Sequence, residues 1–382
     1  MTKSQKTEYY RNKLVDSLLC QKIISKVEIE KAFRKVKRDL FLPGFPLKEI
    51  YTDGSIITKS IGTNYISSST SPSLMASMIE ILDLKKGHKV LEIGTGTGYN
   101  AAILAEIVAD EKKVYSLDID KETVLEAKRN LKKAGYQQIN LLCRDANNGW
   151  NKNILFDRII FTASVKKIPP KIINQLRIGG IVVLPFWING TQITPALKKK
   201  KDGSLYSQKI TLGGFMPLRE KTITQIKKLS DSKDLKRNIL ICSENLTYFN
   251  YNKLLKFLKT KPKIIPNLFK GLSLPRAGNF FRFLATREKK SVEIFIEKSS
   301  PSLFIKDSGA GIIDLSHNSG CLFLENNQIQ NYGNDFCFNK IQKLYQEWLR
   351  LASPDVDRFQ ITFPNDLSHY HLSILKRGGD KN

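Results

Sequence analysis

The stretch "VLEIGTGTGYN" at residues 90–100 decides the fold class of this chain. It places Gly94, Gly96 and Gly98 directly after an apolar strand-like run and directly before a helical segment. Glycine at such a turn lets the backbone bend sharply and approach a ligand without a Cβ in the way. A purely structural turn would use the same residues, so the surroundings of the loop must decide between the two interpretations.

Acidic residues near the ends of successive strands favour a ligand site. Glu92 lies near the end of the strand before the loop, Asp118 lies at the end of the next strand, and Asp145 follows the third. In a doubly wound sheet these strand ends meet at one crevice, where a carboxylate can accept from ribose hydroxyls. The GxGxG spacing differs from the GxGxxG of dinucleotide sites. We therefore expect an adenosine-bearing ligand without a pyrophosphate, with S-adenosylmethionine as the leading candidate. The predicted cofactor-binding residues are Glu92, Gly94, Thr95, Gly96, Gly98, Asp118, Asp145 and Ala146.

Strands and helices alternate on both sides of the glycine loop. The predicted strands are 89–93, 113–119, 139–143, 156–163 and 179–186, and the predicted helices are 72–83, 99–109, 121–135 and 169–177. Repeated strand–helix units with apolar strands indicate a parallel sheet covered on both faces. A hairpin over 192–212 follows, with the lysine block 198–201 near its tip. Helical spacing over 7–38 predicts helices before a region broken by prolines and glycines.

The alternation of strands and helices ends after residue 220. Residues 223–262 are polar and lysine-rich, and a last amphipathic helix is predicted at 339–352. Strand-like runs without intervening helices are predicted at 279–286, 291–297, 302–306, 311–315 and 321–325. The sequence thus predicts a catalytic domain over 1–220, with a helical part at 1–50, and a smaller α+β domain over 221–382.

The composition limits the possible partners. The formal charge is +26, but residues 1–220 and 221–382 carry net charges of +15 and +11, so neither half is a basic arm. We therefore expect no nucleic-acid partner, although the charge suits anionic or carboxylate-bearing substrates. Five scattered cysteines, without a CxxC pair, indicate reduced thiols in a cytoplasmic protein. No apolar run is long enough to span a membrane, and we expect a monomer.

Several motifs in order make the chain resemble the protein-L-isoaspartate (D-aspartate) O-methyltransferases. They are "IEKAFRKVKRDLFLP", "IYTDGSI", "SPSLMASMIEILDLKKGHKVLEIGTGTGYNAAILAEIV", "DANNGW", "FDRIIFTASVKKIPPKIINQLRIGGIVVLPF" and "GGFMPLRE". The resemblance runs from about residue 14 to about residue 220. It implies a class I methyltransferase fold of the doubly wound, Rossmann-like α/β type, S-adenosyl-L-methionine as donor, and a side-chain carboxylate of a protein or peptide as acceptor.

The resemblance also gives a role to the hydroxyl-rich segment "YISSSTSPSLMASM" at 65–78. The family has a serine two residues before the proline, in a segment lining the site of methyl transfer, and Thr70 holds that position ahead of Pro72. Thr70, Ser71 and Ser68 are therefore the predicted catalytic residues, and Ser69 is a further candidate donor. For each of these hydroxyl groups, a solvated serine-rich loop is the competing interpretation.

The sequence leaves several activities open. The family's repair enzymes usually end near "FMPL", and long members of this kind include methyltransferases that modify aspartates of ribosomally made precursor peptides. Residues 221–382 would then recognise the peptide. A methyltransferase acting on nucleic acid or a small molecule is also compatible with the glycine loop, as is a methyltransferase-fold peptide-binding module without activity. His369 and His371 lack an evident third ligand, so no metal site is predicted.

Overall fold

The computed structural model describes residues 1–61, 64–150, 153–189, 191–215, 228–229, 239–242, 251–265, 274–296, 307–326 and 328–375. The chain forms two compact units. The first comprises Met1–Phe186, Thr194–Ile223 and Ile361–His371, and the second comprises Trp187–Ile193, Thr224–Gln360 and Leu372–Asn382. The units therefore do not follow a single cut in the chain. None of the described helices is long and apolar enough to cross a membrane.

Helices of the first unit begin at the amino terminus. They are α1 (Lys3–Cys20), α2 (Val27–Lys35), α3 (Leu47–Ile50), α4 (Pro72–Leu82), α5 (Tyr99–Val108), α6 (Lys121–Ala134) and α7 (Pro170–Asn174). The helical spacing predicted over 7–38 is confirmed as two helices, separated by a break at which Lys22 has a φ of +57°. Pro72 occupies the first turn of α4, where its missing N–H leaves no helical bond unmade.

Eleven strands are described first, and the others follow below. They are β1 (Ile56–Ile61), β2 (Asn64–Ser69), β3 (Val90–Ile93), β4 (Val114–Asp118), β5 (Asn140–Cys143), β6 (Phe156–Phe161), β7 (Leu176–Val183), β8 (Phe186–Ile188), β9 (Thr191–Lys199), β10 (Leu205–Thr211) and, much later in the chain, β18 (Phe359–Phe363). The main sheet of the first unit runs in the order β18-β10-β9-β7-β6-β3-β4-β5. β3 to β7 are parallel, whereas β9 and β10 form the predicted antiparallel hairpin. The doubly wound α/β prediction is confirmed.

The apolar runs explain this sheet. All four residues of β3 are buried, and β4 and β6 are mostly buried, as strands covered by helices on both faces require. The helix predicted over 169–177 is shorter than expected, because β7 already begins at Leu176, which pairs with Phe156. A further strand comes from far along the chain, since Phe363 and Thr362 pair with Leu205 and Tyr206.

The hydroxyl-rich segment is not a loop. Residues 64–69 form β2, which pairs with β1 in a separate two-stranded antiparallel sheet. The register places Ser69 opposite Ile56 and Ser67 opposite Lys59. This hairpin leads directly into α4, so Thr70 and Ser71 lie at the junction of strand and helix.

The second unit contains an antiparallel sheet with helices. Its remaining elements are β11 (Lys228–Leu229), β12 (Ile239–Cys242), α8 (Tyr251–Leu258), β13 (Lys263–Ile265), α9 (Leu274–Arg287), β14 (Ser291–Ile296), β15 (Gly309–Asp314), β16 (Ser319–Leu324), β17 (Ile329–Gly333), α10 (Phe336–Arg350) and β19 (His371–Ile374). The strand order is β11-β12-β14-β15-β16-β17-β13. Side chains of α8, among them Leu254 and Leu258, share a core with Ile294 and Leu322.

One strand prediction in this unit is wrong. Residues 279–286 lie inside helix α9. Phe280, Phe283 and Leu284 are buried, and their spacing of three and four residues is that of one helical face. The dense run of phenylalanines favours a strand by its β propensity, but here the helical period prevails. The predicted strand at 302–306 lies outside the described residues, whereas those at 291–297, 311–315 and 321–325 and the helix at 339–352 are confirmed within a few residues.

Candidate functional site

A cavity of about 310 Å³ opens at the carboxyl ends of β3 and β4, where a doubly wound sheet usually binds its ligand. Its size lies at the lower end of the range of small-molecule pockets. All of its lining belongs to the first unit. The lining comprises the glycine loop, the hydroxyl-rich segment and strand-end residues, namely Ser55, Ile57, Ser67–Thr70, Met75, Glu92–Thr97, Tyr99, Asn100, Leu117–Ile119, Arg144, Ala146, Thr162, Ala163, Gly214 and Phe215.

The glycine loop depends on its glycines for backbone conformation. Gly94, Gly96 and Gly98 all have positive φ, at +103°, +51° and +88°. A Cβ on Gly94 would lie 2.4 Å from the Thr162 Oγ1 atom, and a Cβ on Gly98 would lie 3.1 Å from the Leu131 Cγ atom. The positive φ disfavours a side chain at all three positions, and space excludes one at Gly94, whereas a Cβ on Gly96 would meet nothing closer than 3.8 Å.

Asp118 is joined to the glycine loop. Its Oδ2 atom accepts from the Gly96 N–H over 3.3 Å, and its Oδ1 atom accepts from the Asp120 N–H over 3.1 Å. Two backbone donors thus hold the carboxylate at the end of β4, where it lines the cavity. The remaining lone pairs are available to hydroxyl groups of a ligand.

Glu92 is a fully buried carboxyl group at the floor of the cavity. It accepts from Asn100 Nδ2 at 2.8 Å and from Ser116 Oγ at 2.5 Å, and Ser116 Oγ lies 2.7 Å from Thr95 Oγ1. Burial raises the pKa of Glu92 to about 7, although the bonds from Ser116 and Asn100 act in the opposite direction. Thr95, in the glycine loop, is therefore connected to Glu92 through a single hydroxyl group.

The third strand end is only partly in the cavity. Arg144 and Ala146 line it, whereas Asp145 is not among the lining residues. The Asp145 Oδ1 atom accepts from the Asn147 N–H over 2.8 Å and so caps a short 3-10 helix over Ala146–Asn148. This contact gives Asp145 a local structural role, and its role in cofactor binding stays a prediction.

The hydroxyl-rich segment forms the opposite wall, which we call the hydroxyl wall. Ser67, Ser68, Ser69 and Thr70 all line the cavity, and the Ser68 carbonyl lies 3.8 Å from the position of a Cβ on Gly96. Ser71 does not line it. It is the N-cap residue of α4, without a side-chain capping bond. The structure therefore brings Thr70 and Ser68 to the predicted cofactor loop and leaves Ser71 beside it.

Sequence reasoning missed four residues that shape this site. Arg38 is completely buried and donates to Ser69 and Thr70 of the hydroxyl wall. Asn100 and Ser116 hold Glu92, and Thr162 donates to the Gly94 carbonyl over 2.6 Å. The four residues come from different elements, so no local spacing pattern connected them before folding.

The two neighbouring histidines are exposed. His369 and His371 face each other with their Nε2 atoms 3.0 Å apart. Among the residues that the structure describes, no group of three or more histidine, cysteine, aspartate or glutamate side chains could hold a metal ion.

Comparison with known proteins identifies the family of this chain. The family model for protein-L-isoaspartate(D-aspartate) O-methyltransferase matches residues 9–223, which is more than half of the chain. The chain belongs to the protein-L-isoaspartate(D-aspartate) O-methyltransferase family. It is therefore an enzyme of the methyltransferase class with S-adenosyl-L-methionine as its methyl donor, and the matched segment contains both the glycine loop and the hydroxyl wall.

Individual relatives agree with the family model. The protein-L-isoaspartate O-methyltransferase of Ignicoccus hospitalis is 33% identical over 214 residues, which are 56% of this chain and 99% of the relative. That of Dictyoglomus turgidum is 37% identical over 217 residues, 56% of this chain and 93% of the relative. A solved structure of a protein-L-isoaspartate O-methyltransferase has a TM-score of 0.54 at 24% identity and covers 95% of this chain and 99% of its own. This last similarity concerns the fold, and it extends over the sequence of both units.

Proposed function

We propose that this enzyme transfers the methyl group of S-adenosylmethionine to the side-chain carboxylate of an isoaspartyl residue in a protein or peptide. One observation carries the proposal. The glycine loop after β3 and the hydroxyl wall before α4 line the same cavity, so a donor and an acceptor bound to them would meet there. Family membership supports both the donor and the acceptor.

The cavity fits an adenosine-bearing donor. Asp118 presents a carboxylate held by two backbone N–H groups, which suits ribose hydroxyls. The Asn100 Oδ1 atom is buried and has no hydrogen-bond partner among the described residues, although Asn100 lines the cavity. A buried acceptor without a donor is costly, and a bound ligand can supply the missing hydrogen bond. Gly96 leaves space for the close approach of a ligand to the backbone.

The chemistry requires positioning more than proton transfer. S-adenosylmethionine, when bound, supplies an electrophilic methyl group on a positively charged sulfur. A carboxylate with a pKa of about 4 is already ionised at neutral pH, so the acceptor needs no general base. Hydroxyl groups of Ser68, Ser69 and Thr70 can donate to the carboxylate and hold it without protonating it. Proximity and orientation then provide most of the rate enhancement expected of such a site.

The second unit supports two interpretations. We propose that it contributes to recognition of the protein or peptide that carries the acceptor. A dedicated precursor peptide, methylated on aspartate, is the second candidate, because the chain continues well beyond residues 9–223 of the family match. A solved protein-L-isoaspartate O-methyltransferase resembles 95% of this chain in fold, so a second unit does not by itself require a different acceptor. This similarity favours an isoaspartyl residue as the acceptor.

Mass spectrometry of a matched pair of peptides tests the proposal. The full chain is incubated with S-adenosylmethionine and either an isoaspartyl peptide or the same peptide with aspartate. We expect a mass increase of one methyl ester on the isoaspartyl peptide alone. Methylation of neither peptide, with the donor bound, would favour the dedicated peptide instead. Truncation at residue 220 is a poor test, because it would remove residues 361–371 from the first unit.

A further inference from the structure

Arg38 is a buried cation whose hydrogen-bond partners are neutral. Its side chain is completely inaccessible to solvent. The Nη1 atom donates to the Ile50 carbonyl over 2.8 Å, and the Nη2 atom donates to the Thr70 carbonyl over 3.0 Å and to the Ser69 hydroxyl over 3.2 Å. Among the described residues, none of its hydrogen-bond partners is a carboxylate. Burial of this charge costs free energy, which the carbonyl partners and the nearby charge of Asp53 offset in part.

The contacts of Arg38 set the direction of a hydrogen bond in the cavity. A guanidinium group donates only, so Ser69 Oγ must accept from Arg38. The hydroxyl proton of Ser69 is then left to donate, and no acceptor for it is found among the described residues. Ser69 is 5% exposed and lines the cavity, so this proton can be offered to a bound carboxylate.

The same guanidinium group holds the next residue by its backbone. Its bond to the Thr70 carbonyl ties the end of β2 to Ile50 at the end of α3. Because Thr70 lies between β2 and the N-cap of α4, this bond fixes the backbone from which the Thr70 side chain projects. The Arg38 carbon Cζ also lies 5.8 Å from the centre of the Tyr99 ring, another residue of the cavity lining.

We propose that Arg38 is a positioning residue for the acceptor carboxylate, which orients Ser69 as a hydrogen-bond donor, fixes Thr70, and adds positive charge behind the hydroxyl wall. The inference rests on the proposed function, because it names what holds the acceptor of that reaction. Arg38 acts through Ser69 and Thr70 and need not touch the donor site, since Asp118 and the glycine loop are held by other contacts.

Arg158 provides a matched control. It is also a buried arginine of the first unit, 8% exposed, and it also donates to backbone carbonyls, those of Leu82, Asp83 and Asp157. Unlike Arg38, it also has a carboxylate partner, since its Nη2 atom lies 3.6 Å from Asp83 Oδ2. It does not line the cavity. Replacement of either arginine by lysine keeps the charge but loses the forked geometry that binds several acceptors at once. Both changes should lower the melting temperature.

The test compares R38K, R38Q and R158K with the wild-type full chain. Turnover and KM are measured on an isoaspartyl peptide, S-adenosylhomocysteine binding is measured by titration calorimetry, and unfolding is followed by circular dichroism. We expect kcat/KM to fall at least about tenfold in R38K and further in R38Q, through a lower kcat and a higher peptide KM, with Kd for S-adenosylhomocysteine within about twofold of wild type. R158K should keep kcat/KM within about twofold.

Two outcomes would overturn the inference. One is R38K with wild-type kcat/KM. The other is an equal loss in R38K and R158K at equal losses of melting temperature, which would show that Arg38 acts through stability alone. A wild-type protein that binds S-adenosylhomocysteine but methylates no isoaspartyl peptide would refute the proposed function first, and the role of Arg38 with it.

Discussion

Lys59 on β1 forms an ion pair with Asp120, the N-cap residue of α6, with Nζ and Oδ1 separated by 3.1 Å. The same ammonium group lies 2.7 Å from Glu122 Oε2. These bonds join the hairpin that carries the hydroxyl wall to the segment that follows Asp118. Burial raises the pKa of Asp120, but hydrogen bonds from Thr123 and Lys59 outweigh burial and lower that pKa to about 2.

We therefore predict that K59M weakens donor binding through loss of this connection. Exposed ion pairs contribute up to about 1 kcal/mol, so the expected rise in Kd for S-adenosylhomocysteine is about two- to fivefold. Higher salt should weaken binding to the wild type and leave K59M nearly unaffected, because salt screens exposed charges. Titration calorimetry at low and high salt measures both effects. An equal salt dependence in both proteins would contradict the prediction.

Replacement of Asp118 should damage donor binding directly. D118N keeps the size of the side chain but loses the charge that accepts from Gly96 and from ligand hydroxyls. Hydrogen bonds to charged groups contribute about 1.5–3 kcal/mol, so Kd for S-adenosylhomocysteine should rise about 10- to 150-fold. D202N, at the hairpin tip between β9 and β10, serves as the control and should bind normally. Unchanged binding by D118N would refute its role at the ribose.

The Thr70 hydroxyl should matter for methyl transfer and not for binding of S-adenosylmethionine. T70A should reduce kcat about 10-fold or more on an isoaspartyl peptide, because one hydrogen bond to the acceptor carboxylate is lost. T70S keeps the hydroxyl and should retain most of the activity. S77A, on α4 and outside the cavity lining, is the control. Normal turnover by T70A would show that the acceptor carboxylate binds at another part of the hydroxyl wall.

The raised pKa of Glu92 predicts that the free energy of unfolding depends on pH. Its pKa is raised by burial to about 7 in the folded protein, above the ordinary value of 4.5, so the folded state binds more protons between these two values. Its contribution to stability is therefore complete below pH 4.5 and is lost as the pH rises through 7, by roughly 3 kcal/mol in total.

The E92Q variant isolates this effect. Glutamine cannot ionise, so the difference in melting temperature between wild type and E92Q should shift against the wild type as the pH rises from about 4.5 to about 8. Loss of bonds to Ser116 and Asn100 adds a constant offset, and only the change with pH is informative. A difference that stays constant across this range would show that Glu92 titrates near its ordinary value.

Local patterns were enough to predict the parallel sheet of the first unit. The apolar strands, the glycine loop and the alternating helices define a parallel sheet, because strand burial and helical period are properties of neighbouring residues. The order of family motifs added the reaction and pointed to Thr70. The same local reasoning failed at Phe280 and Phe283, where strand propensity and helical spacing both occur and tertiary packing decides between them.

The fold class, the family and the residues of the glycine loop could all be predicted from the sequence. Three relationships emerged only from the folded chain: Arg38 holds Ser69 and Thr70, Lys59 pairs with Asp120, and residues 361–371 belong to the first unit. The reason is physical. A hydrogen bond or ion pair between residues that are distant in sequence depends on how the chain folds. The sequence around either residue does not indicate which residue will be its partner.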